Sequence, residues 1–118
     1  MPYKTYNIMD NKLLYPFEIF DKSPERAINL LRANMRQRRL EKGVSRKYLS
    51  ELTGVPAPTI ERFETTGKIS LESFVKIVCA LDYFDELITV MDQPKYHTMD
   101  ELREIQDNEY RKRGRRCK

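Results

Sequence analysis

The chain has 118 residues, of which 34% are charged and 40% hydrophobic, a composition that suits one packed domain with tails. Its net charge of +4 is compatible with a nucleic-acid partner. No apolar run approaches the roughly 20 residues of a membrane span, and the first residues do not have the pattern of a signal peptide. The two cysteines, Cys79 and Cys117, cannot build a disulfide framework. We therefore expect a cytoplasmic protein without a membrane segment.

The first 22 residues are predicted to be an N-terminal arm. They hold five of the twelve aromatic residues, namely Tyr3, Tyr6, Tyr15, Phe17 and Phe20. Asp10-Asn11 can turn a β-hairpin between residues 3–9 and 12–19, although Pro16 weakens the second strand. We expect these rings to pack on the body of the protein or on a second subunit, and an exposed arm is the alternative.

Five helices are predicted over residues 23–92, which we take as one domain. Ser23 caps the first helix and Gly43 ends it. Ser45 begins a short second helix that Gly54 breaks, and the third runs from about residue 57 to 64, before Gly67. The residues predicted to face inward from the second and third helices are Leu49, Leu52, Ile60 and Phe63.

The fourth helix, over residues 71–81, is apolar nearly all round and is therefore predicted to be buried. A fifth helix follows over residues 83–91. Residues 93–118 are expected to form a linker, a last helix and a basic tail. Thr98 with Glu101 has the form of a capping box for that helix, and six of the last eight residues, RKRGRRCK, are basic.

Positive charge is segregated along the chain. Residues 23–54 have a net charge of +5, residues 55–92 a net charge of −4, and residues 93–118 a net charge of +3. A basic surface that binds phosphates is one interpretation. A solvated helix face with a solubilising tail is the other.

The most informative stretch is VSRKYLSELTGVPAPTIERFETTG, residues 44–67. It predicts two short helices joined by a turn at Gly54, where an unusual backbone dihedral swings the third helix across the second. The outer face of the third helix is then left free.

This stretch resembles the Cro/repressor-type (XRE-type) helix-turn-helix family, with a match from about residue 31 to 91. The residues that carry the resemblance are Leu49, Gly54, Val55, Thr59, Ile60, Arg62, Phe63 and Glu64. The segment SLESFVKIVCALDYFDEL is similar to regulators encoded beside HipA-type kinase toxins. The resemblance implies an all-α repressor-type fold and a homodimer that binds a double-stranded DNA operator. It also implies an autorepressor that acts as the antitoxin of a HipA-type kinase.

The same resemblance places the third helix in the major groove. It implies base contacts by Ala57, Pro58, Glu61 and Arg62, and DNA backbone contacts by Arg38, Arg46, Lys47, Thr59 and Lys68. It also implies a buried ion pair between Arg39 and Glu64. The alternative for each basic residue is a charge that is solvated by water at the surface and contacts no phosphate. Because Pro58 biases Ala57 away from helical dihedrals, the third helix can begin one residue later, near Pro58, which favours a thin direct readout and a larger role for DNA shape.

No enzyme is predicted, and neither a cofactor nor a metal site. The single histidine, His97, lies in the linker, and no CxxC, HExxH, GxGxxG or P-loop pattern occurs. The alternative function is a protein–protein interaction module on the same fold, which would neutralise a partner without binding DNA. Ala57 and Pro58, which cannot hydrogen-bond to bases through their side chains, keep that alternative open.

Overall fold

The structure is a computed structural model that describes residues 21–114. These residues form six helices and no strand, which confirms the predicted all-helical fold: α1 (Pro24–Glu41), α2 (Arg46–Thr53), α3 (Ala57–Thr66), α4 (Leu71–Ala80), α5 (Phe84–Leu87) and α6 (Met99–Asp107). The predicted hairpin over residues 3–19 and the end of the basic tail lie outside the described residues. The chain divides into two compact units, one ending at Asp82 and the other beginning at Tyr83.

Serine caps and glycine stops set the helices of the first unit. The hydroxyls of Ser23, Ser45 and Ser70 each accept a hydrogen bond from the backbone amide three residues later, at distances of 3.0 to 3.2 Å. Helices α2 and α3 end at Gly54 and Gly67, whose φ angles of 78° and 81° are left-handed. The helix starts at Ser23, Ser45 and Ser70 and these two ends are therefore confirmed.

The core of the first unit lies behind α3. Helix α3 packs against α1 and α2, and α4 packs against α2. The rings of Phe63 and Phe74 meet edge to face, with 5.5 Å between their centroids. The buried hydrophobic residues are Met35, Leu49, Val55, Ile60, Phe63, Ile77 and Leu81.

The prediction that Leu52 faces inward was wrong, because its side chain is 54% exposed. In α2 the fully buried residue is Leu49, and Arg46, Ser50 and Thr53 are half-buried. At about 100° per residue these four lie within an arc of about 100°, and Leu52 lies about 60° outside that arc, beyond Leu49. A two-turn helix with so narrow a contact face leaves Leu52 in solvent.

The fourth helix is less enclosed than its composition predicted. Within α4 only Ile77 is buried, and the side chain of Leu71 is 75% exposed. Phe74, Val75 and Val78 are half-buried, and the ring of Phe74 packs on that of Phe63, so the neighbours of α4 cover these side chains only in part.

In the second unit, α5 is shorter than the predicted helix over residues 83–91. It ends at Leu87, and turns lead to Met91, whose φ of 61° is left-handed. Ile88, Thr89 and Val90 are three β-branched residues in a row, which disfavours continuing the helix. The expectation of a nine-residue helix was wrong for this reason.

The predicted cap of the last helix is confirmed in its first half, because the hydroxyl of Thr98 accepts a hydrogen bond from the Glu101 amide at 3.1 Å. The Glu101 carboxylate accepts from the His97 amide at 2.8 Å, and not from the Thr98 amide that a capping box would use. Leu102 and Ile105 of α6 are half-buried. None of the helices in the described stretch combines the length and apolar character that a membrane crossing needs.

Candidate nucleic-acid interface

Helix α3 has a buried inner face and an exposed outer face. Ile60 and Phe63 point into the core with exposed fractions of 0% and 3%. Pro58, Glu61 and Arg62 are exposed on the opposite side. The helix is therefore held from behind while its outer side chains are free to meet another molecule.

The structure brings the four predicted base-contacting residues onto one side of α3. They fall within an arc of about 140°, calculated from the helical repeat. Ala57 is only half-exposed, and the other three are exposed. Thr65, which the sequence reasoning missed, lies in the middle of the same arc and is exposed, and its hydroxyl donates to the Glu61 carbonyl at 3.0 Å. Its spacing of four residues from Glu61 was the signal that could have identified it.

The first turn of α3 forms in spite of its two prolines. The helix begins at Ala57, where the helical pattern predicted it, and not one residue later at Pro58, and Pro56 at the cap position makes no side-chain hydrogen bond. The carbonyl of Pro56 instead accepts from the amides of Thr59 and Ile60, at 2.9 and 3.1 Å. Pro58 in the first turn leaves no hydrogen bond unmade, because the amide at that position has no partner within a helix.

The turn between α2 and α3 fixes where α3 begins. The Gly54 amide donates to the Ser50 carbonyl at 2.8 Å and so closes α2. Val55, the next residue, is buried with 2% exposure, and its amide donates to the Thr53 hydroxyl at 3.1 Å. The chain changes direction at Gly54, and the buried side chain of Val55 fixes it immediately afterwards. Together these two residues determine where α3 begins relative to α2.

Arg39 on α1 and Glu64 on α3 form a two-point ion pair. The Nε of Arg39 donates to one carboxylate oxygen at 2.7 Å and its Nη2 to the other at 3.0 Å. Both residues are buried, with exposed fractions of 5% and 4%. The third donor of Arg39, Nη1, binds the Val44 carbonyl at 2.8 Å, so the guanidinium also fixes the segment between α1 and α2.

Arg46 joins this pair as a third member, which the sequence reasoning did not predict. Its Nε donates to Oε1 of Glu64 at 3.0 Å, and its side chain is 35% exposed. Burial raises the pKa of Glu64, but the hydrogen bonds from Arg39 and Arg46 outweigh burial and hold the pKa below its usual value. One carboxylate on α3 therefore ties together α1, α2 and α3.

The far end of α3 is fixed by α1 as well. The Nη1 of Arg32 donates to the backbone carbonyl of Glu64 at 2.9 Å. The Ile28 side chain contacts Gly67 so closely that a Cβ at Gly67 would clash with it. These contacts hold the C-terminal turn of α3 against α1.

The predicted DNA backbone contacts differ in how free they are. Lys47 and Lys68 are exposed, and Thr59 is half-buried. Arg38 is 21% exposed and pairs with Glu41 at 2.7 Å, while its Nε is buried without a hydrogen-bond partner among the described residues. Because Glu41 already offsets its charge and its side chain is more buried than that of Arg46, Arg38 is the predicted backbone contact least available to a phosphate.

The described residues contain no group of histidine, cysteine and acidic side chains that could hold a metal ion. His97 is exposed in the second unit. The side chains around α3 offer hydrogen-bond donors, hydrogen-bond acceptors and positive charge. These groups are suited to binding another molecule through non-covalent contacts.

Comparison with known families finds a match in the middle of the chain. Residues 35–86 match the model of the helix-turn-helix family HTH_3, and they form a domain of that XRE type. This is a family of DNA-binding domains and not of enzymes. The same comparison made with curated proteins and with solved structures finds no match.

Proposed function

We propose that the protein is a sequence-specific DNA-binding transcriptional regulator that inserts α3 into the major groove of duplex DNA. The observation that carries the proposal is the exposed outer face of α3, held from behind by Ile60, Phe63 and Glu64, within a helix-turn-helix domain. In this proposal Ala57, Pro58, Glu61 and Arg62 face the bases. The DNA backbone is contacted by Arg38, Arg46, Lys47, Thr59 and Lys68. We take residues 23–92 as the limits of the domain, and a cytoplasmic location because the partner is the cell's DNA.

A titration against duplex DNA tests this proposal. A duplex is first selected by the full chain from a random-sequence pool, and its affinity is then measured at rising salt. Each phosphate neutralised by a lysine or arginine should steepen the dependence of log affinity on log salt by about one unit. Lys47→Gln should reduce that slope by about one unit while leaving the preferred sequence unchanged. Failure to retain any sequence from the pool would reject a sequence-specific regulator.

Two copies acting together are part of the proposal. Helix α3 has ten residues, and one such helix buries too little surface for tight and specific binding. A homodimer presents two copies of α3 to half-sites related by a two-fold axis. Light scattering at micromolar concentration tests this point, and a monomer under those conditions would count against the dimer.

Autorepression and an antitoxin role are the finer part of the proposal. They rest on the similarity of the segment over residues 70–87 to regulators encoded beside HipA-type kinase toxins, and on the basic residues that follow it. Binding to the DNA upstream of the chain's own gene would support autorepression. Co-purification with the product of an adjoining kinase-like gene, and rescue of cells that express that product, would support the antitoxin role.

One observation favours a protein-interaction module as the second candidate. Ala57 and the exposed Pro58 offer only apolar contact at the start of α3, and Tyr48 and Leu52 of α2 are 51% and 54% exposed. Apolar residues at the surface suit a protein partner as well as a thymine methyl group. The salt titration separates the two candidates, because a module specific for protein would give no DNA binding to titrate.

A further inference from the structure

An open depression of about 580 Å³ lies between the end of α1 and the start of α2. Arg36 borders it from α1 and Arg46 from α2, with Gly43 and Ser45 between them. No acidic side chain is among the described residues that line it. The depression therefore has a positive border, and it has room for a small anion with its water.

Arg46 is held in place on one side only. Its Nε is bound to Glu64 at 3.0 Å, whereas its Nη1 and Nη2 make no hydrogen bond within the described part of the chain. A guanidinium is planar, so fixing one N–H fixes the directions of the others. The free end of Arg46 is thus a fork of donors that is oriented before any ligand arrives, and a ligand need not order it.

The charges around Glu64 do not balance. One carboxylate faces Arg39 from α1 and Arg46 from α2, so the cluster has a surplus of one positive charge. Arg36, which is exposed on α1, adds a second positive charge at the depression. The first turn of α2 lines the same depression and adds the positive end of its dipole. An anion is the ligand that such a surplus favours.

We infer that this depression binds a phosphate group of the DNA backbone through Arg36 and Arg46, with Glu64 as the positioning residue that orients Arg46. The site rests on the proposed function, since it takes its phosphate from the DNA that α3 contacts. It adds Arg36 to the DNA-binding residues and gives Glu64 a second role. Because Glu64 belongs to α3, the phosphate contact and the base-contacting helix are joined through one carboxylate.

Replacement of single phosphates in the DNA tests the site. In the duplex selected by the full chain, each phosphate near the protein is replaced in turn by an uncharged methylphosphonate. At one position we expect the affinity of the natural chain to fall about tenfold, the size of effect that loss of a charged hydrogen bond produces. The same replacement should have a clearly smaller effect on Arg46→Gln or Arg36→Gln, each of which has already lost one of the two contacts.

Lys47→Gln is the matched control. It removes the same charge from the next residue of α2, but Lys47 does not line the depression. It should lower the affinity and still respond to the critical methylphosphonate as the natural chain does. Inorganic phosphate should compete with the duplex no better than chloride at equal ionic strength. Stronger competition would mean a site for free phosphate and would overturn the assignment to DNA.

The role of Glu64 is tested with Glu64→Asp, which keeps the negative charge but draws the carboxylate back from Arg39 and Arg46. Thermal melting followed by circular dichroism shows that each variant is folded. Glu64→Asp should lower DNA affinity in the natural background and have no further effect in the Arg46→Gln background. An equal loss in both backgrounds would mean a structural role only and would overturn the positioning role.

Arg46→Lys supplies a second variant that leaves the buried pair intact. It keeps the charge but lacks the fork, so affinity should fall at the critical phosphate while the salt slope stays the same. If a duplex is selected in which every methylphosphonate lowers the affinity of the natural chain and of Arg46→Gln equally, the phosphate site is wrong and the proposed function stands. If no duplex is selected, the proposed function and the site fail together.

Discussion

Glu64 is the residue at which three helices of the first unit meet. Its two oxygens accept three hydrogen bonds from Arg39 and Arg46, at 2.7 to 3.0 Å, and its backbone carbonyl accepts another from Arg32. A buried carboxylate costs several kcal/mol to desolvate and is tolerated only when paired and hydrogen-bonded. Through this pairing a single carboxylate holds α3 to both α1 and α2.

The first prediction concerns the acid stability of the protein. Because the folded-state pKa of Glu64 is lowered from its usual 4.5, the stabilisation is fully present above that value and is lost as pH falls through the folded-state pKa. Urea unfolding at pH 7, 5, 4 and 3 should show stability falling below about pH 4.5. Glu64→Gln should cost roughly 3–5 kcal/mol at pH 7, since it leaves Arg39 buried and unpaired.

Arg46→Gln is the control for this series, because it removes one hydrogen bond to Glu64 and leaves the Arg39 pair intact. It should lose less stability than the natural chain between pH 5 and 3. The stability of the natural chain should fall more over that range than the stability of a folded Glu64→Gln variant. An equal fall in both would show that protonation of Glu64 is not the cause.

The second prediction concerns Arg62 in DNA recognition. If Arg62 donates two hydrogen bonds to guanine, Arg62→Ala should cost about 1–3 kcal/mol of discrimination at that base pair and little at others. Duplexes that differ at one base pair are titrated with both proteins. Glu61→Gln is the neighbouring control, expected to affect a different base pair or none. A uniform loss of affinity over all sequences would instead indicate a phosphate contact by Arg62.

At the scale of helices, local chemistry predicted most of the boundaries. Serine caps at Ser23, Ser45 and Ser70 and stops at Gly54 and Gly67 act within four residues of chain, so a sequence contains them in full. The exposure of Leu52 and of the apolar residues of α4 depends on which neighbours each helix has, and composition does not contain that information. The early end of α5 had a local cause in its β-branched run, which the apolar periodicity concealed.

In the candidate site, too, some features could be predicted from local sequence and others depend on how the helices pack. The outer face of α3 follows from the helical repeat once Ile60 and Phe63 are known to face inward. The contact of Arg46 with Glu64 joins residues 18 positions apart and depends on the turn at Gly54, so spacing alone could not reveal it. The depression beside Arg36 likewise forms only when α1 and α2 come together.

The third prediction compares two glycines that end helices. Gly54 and Gly67 have similar left-handed φ angles, but a Cβ at Gly54 meets nothing within 4 Å, whereas one at Gly67 would clash with Ile28. Gly54→Ala should cost about 1–2 kcal/mol of backbone strain, and Gly67→Ala more. Adding Ile28→Ala to Gly67→Ala should recover part of the difference. Equal costs for both single variants in urea unfolding would show that α1 does not constrain this turn.

For the whole molecule, the charge pattern follows the architecture of the chain. Residues 23–54, with their net charge of +5, comprise α1, α2 and the turn at Gly54, so every residue that lines the depression belongs to this basic segment. The net charge of −4 over residues 55–92 includes Glu64, whose charge the two arginines offset. In the proposed complex, a DNA phosphate is therefore attracted to the part of the first unit that precedes α3, while the outer side chains of α3 face the bases.

The fourth prediction concerns the dimer and the spacing of its half-sites. If two copies of α3 bind adjacent major grooves on one face of DNA, their half-sites are about 10–10.5 base pairs apart. Inserting five base pairs between half-sites of a selected duplex rotates one of them to the opposite face. Affinity should then fall by about 10²-fold, because only one subunit can bind at a time.

Inserting a full turn of ten base pairs is the control for this prediction. It returns both half-sites to one face but moves them one turn farther apart, so a rigid dimer loses affinity here as well, whereas a dimer with a flexible connection recovers it. A single independent subunit is insensitive to both insertions, since it needs only one half-site. Equal affinity for all three duplexes would therefore mean that one copy of α3, with its phosphate contacts, accounts for the whole of the binding.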